Sequence, residues 1–133
     1  MKRTYTPPTV PLEDAEQRII FQWAAMETAA CPELGLLYAI PNGGKRAIKT
    51  AIALKAQGVK SGVPDMCLPV SRGGYHGLYI ELKRQKGGTV SDNQKEWITA
   101  LAEQGYEAVV CRGADEAIRT IKEYLWERTS TRT

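Results

Sequence analysis

Two carboxylates and a lysine stand out by their isolation. From Leu34 to Ser91 the chain carries nine Lys or Arg residues and only two acids, Asp65 and Glu81. Asp65 follows Pro64, and Glu81 stands two residues before Lys83 in Ile80-Glu81-Leu82-Lys83. Two acids and an amine in a basic, apolar stretch suit a small divalent-cation site facing a polyanion, the equipment that metal-assisted phosphodiester hydrolysis requires.

Strand geometry says how these groups would meet. Asp65 to Val70 and Gly77 to Arg84 read as two strands, with Arg72-Gly73-Gly74 as the turn between them. Opposed residues of an antiparallel pair have a constant index sum. A turn centred on Gly73 gives 146, the sum of 65 and 81, so Asp65 is expected opposite Glu81 with Cβ atoms about 4.5–5.5 Å apart, the alternative being a bulge at the wide turn that shifts the pairing by one residue. The two-residue period of a strand puts Glu81 and Lys83 on one face. Carboxylates that close repel unless a positive charge lies between them, and a divalent cation meets that need. Lys83 would then orient or deprotonate an attacking water, or steady charge building on a phosphate.

The other elements follow from periodicity and stop signals. Pro11 to about Ala30 reads as a helix with Ile19, Ile20, Trp23 and Met26 inward, ended by Cys31-Pro32. Glu16 falls on that inward face and is expected to supply a third acid, with Glu13 as its rival. Leu36 to Ile40 is a short strand stopped by Pro41-Asn42-Gly43-Gly44. Arg46 to Gln57 is a helix closed by Gly58. Ser91 to about Gln104 is a helix opened by the capping box Ser91-Asp92-Asn93-Gln94, with Gln94 on the face of Trp97, Ile98 and Leu101. Tyr106 to Cys111 is a strand, and Asp115 to about Glu127 a last helix with Ile118, Ile121 and Leu125 inward. The order is α-β-α-β-β-α-β-α. Residues 1–10 read as a flexible arm, 11–127 as one domain and 128–133 as a polar tail.

Composition narrows the classes. The chain has 133 residues, 43% of them hydrophobic and 25% charged, with a net charge of +3. That length buries a core without disulfide staples. The net charge alone is too weak to argue for nucleic acid, but the acids lie toward both ends and leave the middle cationic. Cys31, Cys67 and Cys111 are odd in number and far apart, which speaks against a zinc site and for buried thiols in a reducing compartment. No apolar run is long enough to span a bilayer.

Taken in series, Gly62-Val63-Pro64-Asp65, Tyr79-Ile80-Glu81-Leu82-Lys83 and Gln94 opening a helix resemble the PD-(D/E)xK nuclease superfamily. With Pro41-Asn42-Gly43-Gly44-Lys45-Arg46, the run Lys55 to Asp65 and Ser91-Asp92-Asn93-Gln94-Lys95-Glu96-Trp97, the chain is similar to the virus-type replication–repair nuclease (VRR-NUC) domain in its stand-alone phage and prophage form. The resemblance covers about residues 12 to 127. It implies a restriction-endonuclease-like α/β core, a mixed sheet flanked by helices, and phosphodiester hydrolysis dependent on Mg²⁺ or Mn²⁺. By motif position Asp65, Glu81, the Leu82 carbonyl and Glu16 would serve the metal, Lys83 would be the catalytic lysine and Gln94 a supporting residue. Stand-alone members are similar to Holliday-junction resolvases, which implies a homodimer acting on branched DNA in a bacterial or phage-infected cytoplasm.

Blander readings stand beside these. Gln94 has a sufficient task in the capping box. Lys45, Arg46, Lys49, Lys55 and Lys60 form either a solvated helix face or, with few acids nearby, a surface for phosphates, to which Lys45, Arg46, Lys49 and Lys60 are assigned here. His76, the one histidine, has no assigned role, and the tryptophans are assigned to the core. Tyr75 and Tyr79 read as sheet packing, with contact to a base or a second copy as the alternative. The rival functions are a DNA-binding accessory module without activity and a nuclease indifferent to DNA structure.

Overall fold

A computed structural model describes residues 10–41 and 48–127. Four strands form one mixed sheet in the order β1-β2-β3-β4: β1 (Tyr38–Ala39), β2 (Met66–Leu68), β3 (Leu78–Lys83) and β4 (Glu107–Arg112). The β1–β2 and β2–β3 pairs are antiparallel and β3–β4 is parallel. The helices are α1 (Glu13–Glu27), α2 (Ile48–Ala56), α3 (Asp92–Glu103) and α4 (Ala114–Lys122). This is the expected α/β class and element order.

The β2–β3 hairpin has the expected register: Met66 faces Ile80, Cys67 faces Tyr79 and Leu68 faces Leu78, each pair summing to 146. The turn closes on Arg72 and Tyr75, a sum of 147, so a one-residue bulge separates it from the ladder. Arg72 and Tyr75 exchange both backbone hydrogen bonds around Gly73 and Gly74, whose φ angles are +57° and +87°. Two successive left-handed residues make the tight turn whose twist matches the strands, and only glycine takes both without strain.

Alternation along β3 then sorts the chemistry. Leu78, Ile80 and Leu82 enter the core with Met66, Leu68, Ile20 of α1 and Ile121 of α4. Tyr79, Glu81 and Lys83 point to the opposite face, where α3 brings Gln94 to Glu81. Tyr124 is buried, and its hydroxyl donates to the Val70 carbonyl at 2.5 Å, tying the chain after α4 to the hairpin. All three cysteines are buried and free. Among the described residues no helix is long and apolar enough to cross a membrane.

Several boundaries differ from expectation. The strand read over Leu36 to Ile40 shortens to two residues, because Pro32–Leu36 winds into a 3₁₀ turn that buries Leu34. The final helix keeps α pitch only to Lys122 and widens into a π turn over Glu123–Glu127, which carries Tyr124 and Leu125 into the core. Helix α1 buries Glu16, Ile20 and Ala24, whereas Ile19 is 45% and Met26 80% exposed. The stripe that meets the core runs through positions four apart, and Ile19 lies a quarter turn off it. Trp126 is 43% exposed. Trp23 and Trp97 are half-buried, the former with the Lys122 ammonium 5.9 Å from its ring centre.

Candidate active site

The site forms where β2 begins and β3 runs past it. Beyond the last ladder pair, Met66–Ile80, the same register sets Asp65 opposite Glu81. The Leu82 N–H donates to Asp65 Oδ2 at 2.7 Å and fixes that carboxylate. In a strand the N–H and C=O of one residue leave by the same edge. The Leu82 carbonyl therefore points to the Asp65 side, while the Lys83 carbonyl turns the other way and accepts from Gly113 N–H at 2.9 Å.

Glu81 is 1% exposed, and Lys83 is 7% exposed with Nζ 3.5 Å from Glu81 Oε2. Gln94 does two jobs. Its Oε1 accepts from Ser91 N–H at 2.9 Å while the Ser91 hydroxyl accepts from Gln94 N–H, completing the capping box. Its Nε2 donates to Glu81 Oε2 at 3.0 Å. Glu81 Oε1 is buried without a hydrogen-bond partner among the described residues.

Burial and the Asp65 charge push the Glu81 carboxyl up to about 8, against the pull of Lys83. Burial raises Asp65 as well, opposed by the Leu82 N–H, by Glu81 and by Lys83. Without a cation the pair therefore favours retaining a proton between its two carboxyls near neutral pH. A buried acid oxygen with nothing to bond, beside a second acid and a strand carbonyl, fits a hard divalent cation. Asp65, Glu81 and the Leu82 carbonyl are the atoms that would hold it, few enough to leave positions for water and phosphate.

Glu16 does not join them. Among the described residues no three acid, histidine or cysteine side chains gather closely enough to hold an ion. Glu16 is buried on the core side of α1, accepts from Gln85 Nε2 at 3.2 Å, and lies against Gly113, where an added Cβ would stand 2.7 Å from its Oε2. It sits past the C-terminal ends of β3 and β4, against Gln85 and Gly113. Glu13 reaches Gly88: its Oε2 and Lys83 Cδ lie 3.9 and 4.0 Å from where a Gly88 Cβ would be. His76 packs edge-on to Tyr106 with ring centres 5.7 Å apart. Of the expected phosphate contacts, Lys49 and Lys60 are exposed, and Lys45 and Arg46 lie outside the described residues.

Two positioning residues carried no local signal. Asn93 Nδ2 donates to the Ser61 carbonyl at 2.9 Å and to the Ser61 hydroxyl at 2.8 Å, latching the segment before Pro64-Asp65 to the start of α3. Gly62 between them has φ +88°, and a Cβ there would stand 2.7 Å from Asn93 Nδ2. Gly58, at φ +99°, has open space around it. Gly62→Ala is expected to cost about 1–3 kcal/mol, and Gly58→Ala no more than about 1 kcal/mol of left-handed strain, in matched chemical denaturation curves. Equal losses would show that Asn93 does not crowd the loop. Gln94 yields to a substitution that separates its tasks. Gln94→Glu keeps an acceptor for Ser91 N–H but sets a third carboxylate against Glu81. It is expected to leave helix content by circular dichroism unchanged and to lower stability at pH 8 by about 1–3 kcal/mol. An unchanged melting temperature would mean that the Gln94–Glu81 bond contributes nothing.

The VRR-NUC domain family model matches residues 11–115. A solved structure described as a VRR_NUC domain protein is 33% identical and superposes with a TM-score of 0.75 over 88% of this chain and 90% of that one. No functionally curated protein matches the chain.

Proposed function

This chain belongs to the VRR-NUC family of nuclease domains, and from that premise we propose that it is a Mg²⁺- or Mn²⁺-dependent endonuclease that hydrolyses phosphodiester bonds in branched DNA, Holliday junctions included, and works as a homodimer. The observation that carries the reading is the opposition of Asp65 and Glu81 with Lys83 alongside. A proton-sharing acid pair beside an ammonium is poorly suited to structural work, because desolvating it costs several kcal/mol per charge. It is well suited to exchanging its proton for a cation.

A bound Mg²⁺ or Mn²⁺ would supply a more acidic water and draw charge from the phosphate. The remaining work falls to the chain. Leu82 N–H aims Asp65, and Gln94 and Lys83 hold Glu81 from two sides. The Lys83 ammonium lies where it can take up negative charge growing on the phosphate or move a proton from the attacking water. The exposed lysines of α2 and of the loop after it, Lys49, Lys55 and Lys60, are proposed to track the DNA backbone, so binding should weaken steeply with salt. The preference for branched DNA and the dimer rest on the resemblance to stand-alone members. One site cuts one strand, so symmetric cleavage needs a second copy.

The test compares cutting rates on a four-way junction, a flap and a linear duplex, with and without Mg²⁺ or Mn²⁺. Metal-dependent cutting fastest on the junction is expected. Equal rates on all three would remove the structural preference. Salt-sensitive binding with no cutting in either metal would make this chain a binding module.

A further inference from the structure

The face that carries Asp65 and Glu81 continues into an aromatic row that the reaction above does not use. Tyr38, Cys67 and Tyr79 are direct partners across β1, β2 and β3. One rung along the same face, Ile40 N–H donates to the Asp65 carbonyl at 2.8 Å, with Glu81 beyond. Two residues along a strand cover about 6.6 Å, so the row begins one short step from the acid pair. Trp97 follows Gln94 by three and shares its helix face, bringing an indole to the same groove. Tyr38, Tyr79 and Trp97, with Val63 and the cation of Lys60, line a cavity of about 470 Å³. Tyr38 is 48% exposed, while the Tyr79 ring is held edge-on to Tyr106 at 5.3 Å.

We propose that this cavity seats one unpaired base of the DNA next to the phosphate held at Asp65 and Glu81, a proposal that rests on the nuclease reading. Aromatic faces accept any base by stacking, and a neighbouring lysine serves the phosphate that comes with it. The aromatic and apolar lining suits a neutral base, and Lys60, the one cation among the described lining residues, suits the phosphate that comes with it; about 470 Å³ leaves room for the sugar as well. A stacked, paired base must first be pulled from the duplex, at a cost that is least where pairing is already broken. The seat therefore supplies a physical source for selecting branch points: the unstacking has been done there by the DNA itself. The competing occupant is a side chain of a second copy of this protein.

The probe is a duplex with one unpaired 2-aminopurine, compared with the same base paired, bound to the full chain in Ca²⁺ in place of Mg²⁺ so that binding is read apart from cutting. A fluorescence change is expected for the unpaired base alone. Tyr38→Ala should abolish it and reduce the preference for the unpaired over the paired duplex about 5- to 100-fold, and Tyr38→Phe should keep both. Trp97→Ala provides a second route to the same loss. The proposal is overturned if the unpaired and paired probes respond alike, if Tyr38→Ala responds like the unaltered protein, or if Tyr38→Ala converts a dimer to a monomer in sedimentation. Failure to cut any DNA in Mg²⁺ or Mn²⁺ sinks the nuclease reading alone, since the fluorescence comparison does not depend on cutting.

Discussion

Lys83→Ala is expected to lower single-turnover cleavage at saturating Mg²⁺ by about 10²–10³-fold while DNA affinity, measured in Ca²⁺, moves by no more than about twofold. The first figure is the usual cost of removing one donor aimed at charge that develops in a transition state. The second follows because Lys83 is one cation among several facing the DNA and is 7% exposed, too enclosed to reach along the backbone. Mg²⁺ must be titrated to saturation in each variant. The ammonium lies 3.5 Å from Glu81 Oε2 and favours the ionised acids while repelling any cation they hold, so its loss changes how the pair binds both proton and metal. Lys83→Arg sharpens the result. A guanidinium keeps the charge but cannot release a proton. Partial rescue by arginine would assign charge stabilisation, and no rescue would leave proton transfer. Loss of binding in proportion to loss of cutting would reduce Lys83 to a phosphate contact and undo the site.

What could be read in the sequence was local. Arg72-Gly73-Gly74-Tyr75 marks the turn and a centre on Gly73 gives the ladder's sum of 146, but the turn itself closes on Arg72 and Tyr75, a sum of 147, and the one-residue bulge that reconciles the two and brings Asp65 to Glu81 has no local signal. The capping box of α3 was legible because its partners are three residues apart. Gln94 facing Glu81 was only half legible: periodicity gives the helix face but not what it will meet. The same limit explains α1. Spacing shows that Glu16, Ile19, Ile20, Trp23 and Met26 crowd one side, but the centre of the buried stripe depends on where α4 and the sheet lie. That centre falls on Glu16, Ile20 and Ala24 and leaves Met26 in solvent. Contacts such as Glu16 with Gln85 and Asn93 with Ser61 join positions 69 and 32 residues apart, beyond any periodic signal. The aromatic row was hidden because Tyr38 reaches β2 only through the α2 connection, so no turn sets its register.

The acid pair should make metal-free protein less stable as pH rises, which is unusual for a carboxylate. Folding raises Glu81 to about 8 from an unfolded value of about 4.5. Between those values the unfolded chain has lost the proton and the folded chain retains it, so raising the pH favours unfolding. The loss starts near pH 4.5, grows until about pH 8 and then levels off. At about 1.4 kcal/mol for each pK unit it amounts to something on the order of 3–5 kcal/mol. A divalent cation bound by Asp65 and Glu81 replaces the proton and returns that stability. At a hundredfold excess over its dissociation constant it adds about 2.7 kcal/mol, roughly 10 °C in melting temperature for a chain of this size. The increment should be large at pH 8 and vanish near pH 5, where protons outcompete the metal. Glu81→Gln supplies the contrast. The amide needs no counter-charge and can still accept from Gln94, so the metal-free variant should melt higher than the unaltered protein at pH 8, show no shift with Mn²⁺ and cut no DNA. A structural ion pair behaves oppositely, because breaking it leaves Lys83 buried without its partner and costs about 3–5 kcal/mol. A lower melting temperature for metal-free Glu81→Gln at pH 8 would therefore show that Glu81 and Lys83 exist to hold the fold, and the melting temperature separates the two roles before any substrate is added.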